Sequence, residues 1–144
     1  MRTKEILRVK GRTVLHSISP DSLLSNALGL MVENDIGSLV VMENAKLTGM
    51  LTFREVLKAV HANQDAAGGL RVKEVMTAPH TIGPDVEVDD LRRVMLETHT
   101  RYMPVVDGES VIGVLSFHDV AKAVLEEQAY ENKMLNGYIC DAVA

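Results

Sequence analysis

Two rhythms of apolar residues follow one another along this chain, and the sequence of rhythms occurs twice. A short strand is expected around residues 15–18, ending at Pro20-Asp21. Leu24, Ala27, Leu28 and Met31 then recur at helical spacing. Two β-rich runs, 39–42 and 47–51, flank the turn Glu43-Asn44-Ala45-Lys46 and predict a hairpin. Thr52 opens a helix with Val56, Leu57 and Val60 on one side. The order then returns. Thr81-Ile82 predicts a strand, Leu91, Val94 and Met95 a helix, and residues 103–106 and 111–115 a hairpin turning at Asp107-Gly108. Ser116 begins a long helix predicted to reach about Asn136, with Gly137 as its stop.

The two passes share residues as well as rhythm. HSISPD at 16–21 returns as HTIGPD at 80–85, and GMLTFRE at 49–55 as GVLSFHD at 113–119, both 64 residues on. Laying 16–64 over 80–128 without a gap gives 15 identities in 49 positions. Unrelated segments of ordinary composition match at roughly 3. A shorter echo, TKEIL at 3–7 and VKEVM at 72–76, is 69 apart, so five extra residues lie near 9–13. The chain therefore divides into a first β-α-β-β-α repeat over 2–62, a linker over 63–70 containing Gly68-Gly69, a second repeat over 71–130, and a helix end and tail over 131–144. A half of about 60 residues buries too little surface alone, so the halves are expected to pack sheet to sheet as a pseudo-two-fold pair. Apolar surface left on the helices invites a homodimer.

Composition narrows the function classes. The net charge of −5 argues against a nucleic-acid surface, and two Phe with no Trp leave few platforms for stacking bases. The apolar runs are too short to cross a bilayer, and no basic start followed by an apolar segment predicts a signal peptide. A lone cysteine, Cys140, fits a reducing cytoplasm and is not set up as a reactive thiol. Eight Met point to an adaptable core or interface.

Candidate chemistry gathers at the strand-to-helix junctions, Thr52-Phe53-Arg54-Glu55 and Ser116-Phe117-His118-Asp119. A hydroxyl followed three residues later by an acid is the signature of a capping box, a purely structural device. The same geometry suits a ligand with a cis-diol and a phosphate. A carboxylate accepts from ribose hydroxyls, and a helix N-terminus attracts phosphate. Arg54 adds a bidentate phosphate contact, against the alternative of a solvated surface arginine. His118 sits beside the same helix start. His16 and His80 are twins that could meet as metal ligands, but no ligand spacing accompanies them, and a structural hydrogen-bonding role is the better reading. Asp89-Asp90 reads as a solvated helix start. No nucleophile set and no phosphate loop is present.

The duplicated β-α-β-β-α unit, the Pro-Asp after the first strand, and the hydroxyl-x-x-acid junction after a glycine-bearing strand resemble a pair of cystathionine-β-synthase (CBS) domains over residues 3 to about 130. The resemblance implies an α/β module that binds adenine nucleotides in clefts between its repeats and regulates a partner protein. Carried over by position, it implies that Ser116 and Asp119 hold the ribose of one cleft, with Thr81, Ile82, Tyr102, Met103 and Pro104 lining the adenine through backbone groups. Ser17, Ile18, Leu39 and Thr52 hold the equivalent places in the other. There Glu55 replaces the usual Asp and Val40 stands where the second repeat has Pro104, so the Ser116/Asp119 cleft is favoured. The expectation is a cytoplasmic, homodimeric, non-catalytic sensor of AMP, ATP or NAD(H), with no required cofactor, no nucleic acid and no membrane. Its rivals are a nucleotide-independent interaction module with vestigial clefts and, last, an enzyme.

Overall fold

Each half is organised on an antiparallel hairpin, and the two hairpins share one register. The computed structural model describes residues 1–11 and 14–143. In the first half β2 (Ser38–Glu43) pairs with β3 (Lys46–Thr52), setting Leu39 opposite Leu51 and Val41 opposite Gly49. In the second, β4 (Tyr102–Asp107) and β5 (Ser110–Ser116) set Met103 opposite Leu115 and Val105 opposite Gly113. Each ladder carries a bulge at the equivalent step, after Val41 and after Val105. Asn44 and Ala45 turn the first hairpin with φ of 52° and 62°, and Gly108 supplies a φ of 62° in the second.

The first strands differ, for a reason visible in one residue. β1 (Ser17–Ile18) runs parallel to β2, and the Val40 amide donates to the His16 carbonyl at 3.2 Å. Pro104, the twin of Val40, has no N–H to give His80. The strand expected at Thr81-Ile82 accordingly shrinks to one bridge, Ile82 to Val105.

Helices cover one face of each hairpin. α2 (Leu24–Glu33) brings Leu24, Ala27 and Met31 onto Leu39, Val41 and Leu51, and α3 (Phe53–Asn63) adds Val56 and Ala59. α5 (Val88–Thr98) and α6 (Phe117–Val143) build the twin core around Leu91, Met95, Met103, Leu115 and Val120. The face expected on α3 is corrected here. Val56 and Ala59, three apart, point inward, whereas Leu57 and Val60 are 63% and 43% exposed.

What joins the halves is an exchange. α1 (Thr3–Lys10) delivers Ile6 to the second core, and α4 (Val72–Val75) delivers Val72 to the first. The Lys4 amide donates to the Pro84 carbonyl and the Lys4 ammonium to Asp85; Lys73 does the same with Pro20 and Asp21, at 2.9 Å and 3.0 Å in both copies. The repeated Pro-Asp and the repeated Lys-Glu are thus two sides of one contact, made across the halves. Two separate cores, each closed by the other half's lead-in, replace the expected single core between facing sheets. Of the five extra residues behind the 69-residue offset, four lengthen the helix, since α1 has 8 residues against 4 in α4.

Two further expectations change. The linker at 63–70 is a 3-10 helix (Gln64–Gly69) packed on α2 and α3, with Ala67 only 3% exposed. It must turn tightly, because Val72 is needed in the core three residues later. Gly137 does not stop α6, which continues to Val143. A glycine inside a helix costs about 1 kcal/mol, less than is needed to end one by itself. The side chains of Tyr138, Ile139 and Cys140 lie outside the described residues.

Candidate functional site

Two crevices lie between the halves, related by the same repeat. One, of about 550 Å³, sets Ser116 and His118 at the start of α6 against residues 14–16 and 35–38 of the first half. Its twin, of about 260 Å³, sets Thr52, Arg54 and Glu55 at the start of α3 against His80 and residues 98–102 of the second. Each crevice takes its helix start from one half and its strand end from the other. The expected grouping of Ser116 and Asp119 with Thr81, Ile82, Met103 and Pro104 is therefore regrouped. Ser116 faces His16, which leads into Ser17 and Ile18. Asp119 opens with Lys10 and His118 on an adjoining pocket of about 210 Å³. Thr81 and Ile82, like Ser17 and Ile18, line neither crevice. Leu39 and Met103 are wholly buried in the two cores and Pro104 is buried as well, and none of the three lines a crevice. Tyr102 stands between the crevices and lines both. It packs edge-on against Phe53, with ring centroids 6.3 Å apart at 90°.

Both helix starts are capped, which corrects the contrast drawn between them. The Ser116 amide donates to Asp119 Oδ2 at 2.8 Å, and the Asp119 amide donates to Ser116 Oγ at 3.1 Å. The Thr52 amide donates to Glu55 Oε2 at 2.8 Å, and the Arg54 amide donates to Thr52 Oγ1 at 3.3 Å. The difference lies in what remains. The Thr52 hydroxyl also donates to the Glu55 carboxylate, so both its roles are filled. Ser116 Oγ accepts from the Asp119 amide, and its hydroxyl makes a weaker contact with the same carboxylate.

Charge separates the crevices further. Arg54, Lys58 and Arg101 line the α3 crevice against one carboxylate, Glu55. At the α6 crevice Lys10 is the one lysine or arginine among the described lining residues, and its ammonium meets Asp119 Oδ2 at 2.8 Å and the Val114 carbonyl at 3.0 Å. Partial burial works to raise the Asp119 pKa. The hydrogen bonds from Lys10 and from the amide and hydroxyl of Ser116, with the charge of Lys10, outweigh it and hold the carboxyl below its ordinary value. Lys10 was not found by sequence reasoning. It lies in the insertion that breaks the repeat, so it has no twin to mark it.

His16 and His80 stand in separate crevices, and among the described residues no cluster of three or more His, Cys, Asp or Glu is placed to hold a metal. No described helix is long and apolar enough to cross a membrane. A third depression, an apolar groove of about 970 Å³, runs along the outer helices past Phe53, Leu57, Leu96 and Phe117.

Comparison with known proteins agrees with this fold. The sequence pattern of the CBS domain matches twice, over residues 5–62 and 72–126. The CBS domain-containing protein YhcV of Bacillus subtilis is 27% identical over 125 residues, covering 86% of this chain and 89% of its own. The crystal structure of a CBS-domain containing protein from Agrobacterium tumefaciens superposes with a TM-score of 0.80 at 29% identity, over 85% of this chain and 98% of its own. CBSX2, solved in complex with AMP, superposes with a TM-score of 0.69 at 28% identity, over 81% of this chain and 92% of its own.

Proposed function

The chain belongs to the CBS-domain family, and from that premise we propose that it is a non-catalytic regulatory module binding an adenosine nucleotide, such as AMP, ATP or NAD(H), in the α6 crevice. The observation that carries this reading is Ser116 with Asp119. A carboxylate held ionised at a helix start, beside the Ser116 hydroxyl, complements a ribose diol with a phosphate next to it. The AMP held by CBSX2 supports the ligand class. His16 and the backbone leading into Ser17 and Ile18 would face the base from the first half, and His118 the phosphate. The α3 crevice, with Thr52, Arg54 and Glu55, is smaller and its hydroxyl is engaged, which favours the α6 crevice as the principal site.

Regulation follows from position. A ligand touching both halves shifts their packing only as far as it binds one arrangement better than another. The module acts as a homodimer paired through the apolar groove, in the cytoplasm, on a partner protein. The single cysteine fits that compartment, and the net charge of −5 fits the absence of a nucleic-acid partner.

A second reading has its own support: reciprocal caps at both helix starts satisfy the same hydroxyls and acids with no ligand. On that reading the chain is a nucleotide-independent dimerisation module. Thermal unfolding with AMP, ATP and NADH separates the two. A ligand at 100 times its Kd adds roughly 2.7 kcal/mol of stability. Stabilisation by an adenosine nucleotide that is lost in Asp119→Ala supports the sensor. No stabilisation by any of them, or one that Asp119→Ala leaves intact, overturns the α6 assignment.

A further inference from the structure

We propose that Lys10 is the specificity-determining residue of the α6 crevice and makes it select phosphorylated adenosine ligands over uncharged nucleosides. This inference rests on the nucleotide reading of the crevice. It starts from an asymmetry between the halves. At the α3 crevice the Met50 carbonyl accepts the backbone amide of Thr77 at 2.9 Å, so the second lead-in closes on β3 as a short ladder. At the α6 crevice the first lead-in stays helical through Lys10, and the carbonyl of Val114, the twin of Met50, accepts the Lys10 ammonium instead. The inserted residues thus replace a neutral amide with a cation.

That cation holds the group a ribose would need. Lys10 Nζ and the Ser116 amide both bond Asp119 Oδ2 at 2.8 Å. A diol that bonds both oxygens of Asp119 displaces Nζ from Oδ2. Anchored also on Val114, at the wall of the same crevice, and carried on a flexible four-carbon stem, the ammonium stays inside. With AMP it exchanges a carboxylate for a phosphate at the neighbouring helix start. With adenosine it loses its bond to Asp119 and no phosphate replaces it. Losing one charge-assisted hydrogen bond costs roughly 10- to 100-fold in affinity, and only the uncharged ligand bears that loss.

Calorimetric titration of the full chain with AMP and with adenosine tests this. Wild type should prefer AMP by at least about 10-fold. Lys10→Gln should weaken AMP and leave adenosine equal or tighter, collapsing the ratio, while Lys10→Arg should keep it. Lys10 lies at the exposed end of α1, and Lys10→Met provides a second neutral variant should the first fold poorly. If Lys10→Gln weakens both ligands alike, or leaves the ratio unchanged, Lys10 is not the selector although the site stands. If wild type binds neither ligand, the nucleotide reading itself falls and this inference with it.

Discussion

Gly49 and Thr77 approach so closely that a methyl on the Gly49 α-carbon would sit 3.0 Å from the Thr77 carbonyl oxygen. The contact is between halves: Gly49 lies on β3, and Thr77 follows the lead-in of the second repeat. Its twin, Gly113, meets the tip of Leu7 at 2.7 Å by the same measure. The glycine repeated in both copies of the sequence is therefore the seat of an exchanged segment.

The obstacles differ, and so should the costs. At Gly49 the obstacle includes backbone held by two hydrogen bonds between Met50 and Thr77, whereas Leu7 can turn aside. Gly49→Ala should destabilise by about 1–3 kcal/mol and Gly113→Ala by less, with Leu7→Ala relieving the second. Urea unfolding of the three variants checks the order. Equal losses at both glycines would contradict it.

Much of this fold was legible because the repeat supplied each element twice. The hairpins and the cap residues recur at one offset, and patterning placed them. The exchange was not legible, since lead-in helices of 8 and 4 residues carry no sign of which core they enter. The loss of the Thr81-Ile82 strand was written in Pro104, read only as a departure between clefts when its missing N–H was the physical point. At the candidate site, sequence placed Ser116 and Asp119 at a helix start but grouped them with residues of their own half, because proximity along the chain hides a crossing made in space.

The exchange should make the halves one cooperative unit. Ile6 closes the second core and Val72 the first. Ile6→Ala should cost about 2–5 kcal/mol and Val72→Ala somewhat less, and each should lower a single unfolding transition seen alike by circular dichroism and by Tyr fluorescence. Two separated transitions, with each variant moving only one, would show that the halves unfold independently.

Asp119 predicts a pH signature with a definite sign. Its folded pKa lies below the ordinary carboxylate value, so its contribution is fully present above about pH 4, the unfolded value, and is lost as pH falls through the folded value. The stability gap between wild type and Asp119→Asn should be flat from pH 8 to about 5 and narrow only below about 4. Urea midpoints at six pH values measure it. A gap that changes between pH 6 and 8 would mean that another group titrates in its place.

The apolar groove predicts the assembly. Phe53 and Phe117 are twins in the repeat, so a pseudo-two-fold axis relates the two sides on which they stand. Leu57, Val60, Leu96 and Leu125 continue this exposed surface on three helices. A patch of this kind on a chain too small to cover it marks an interface. The occupant that matches its symmetry is a second copy, since a two-fold interface uses the same surface on both partners and so counts each side chain twice. Light scattering should give twice the chain mass for wild type. Leu57→Asp should give monomers at micromolar concentration, because it buries two unpaired carboxylates per dimer, while leaving the cores intact, since Leu57 packs in neither. Phe117→Asp tests the same face from the other half. A wild-type monomer, or a dimer untouched by both substitutions, would move the interface elsewhere.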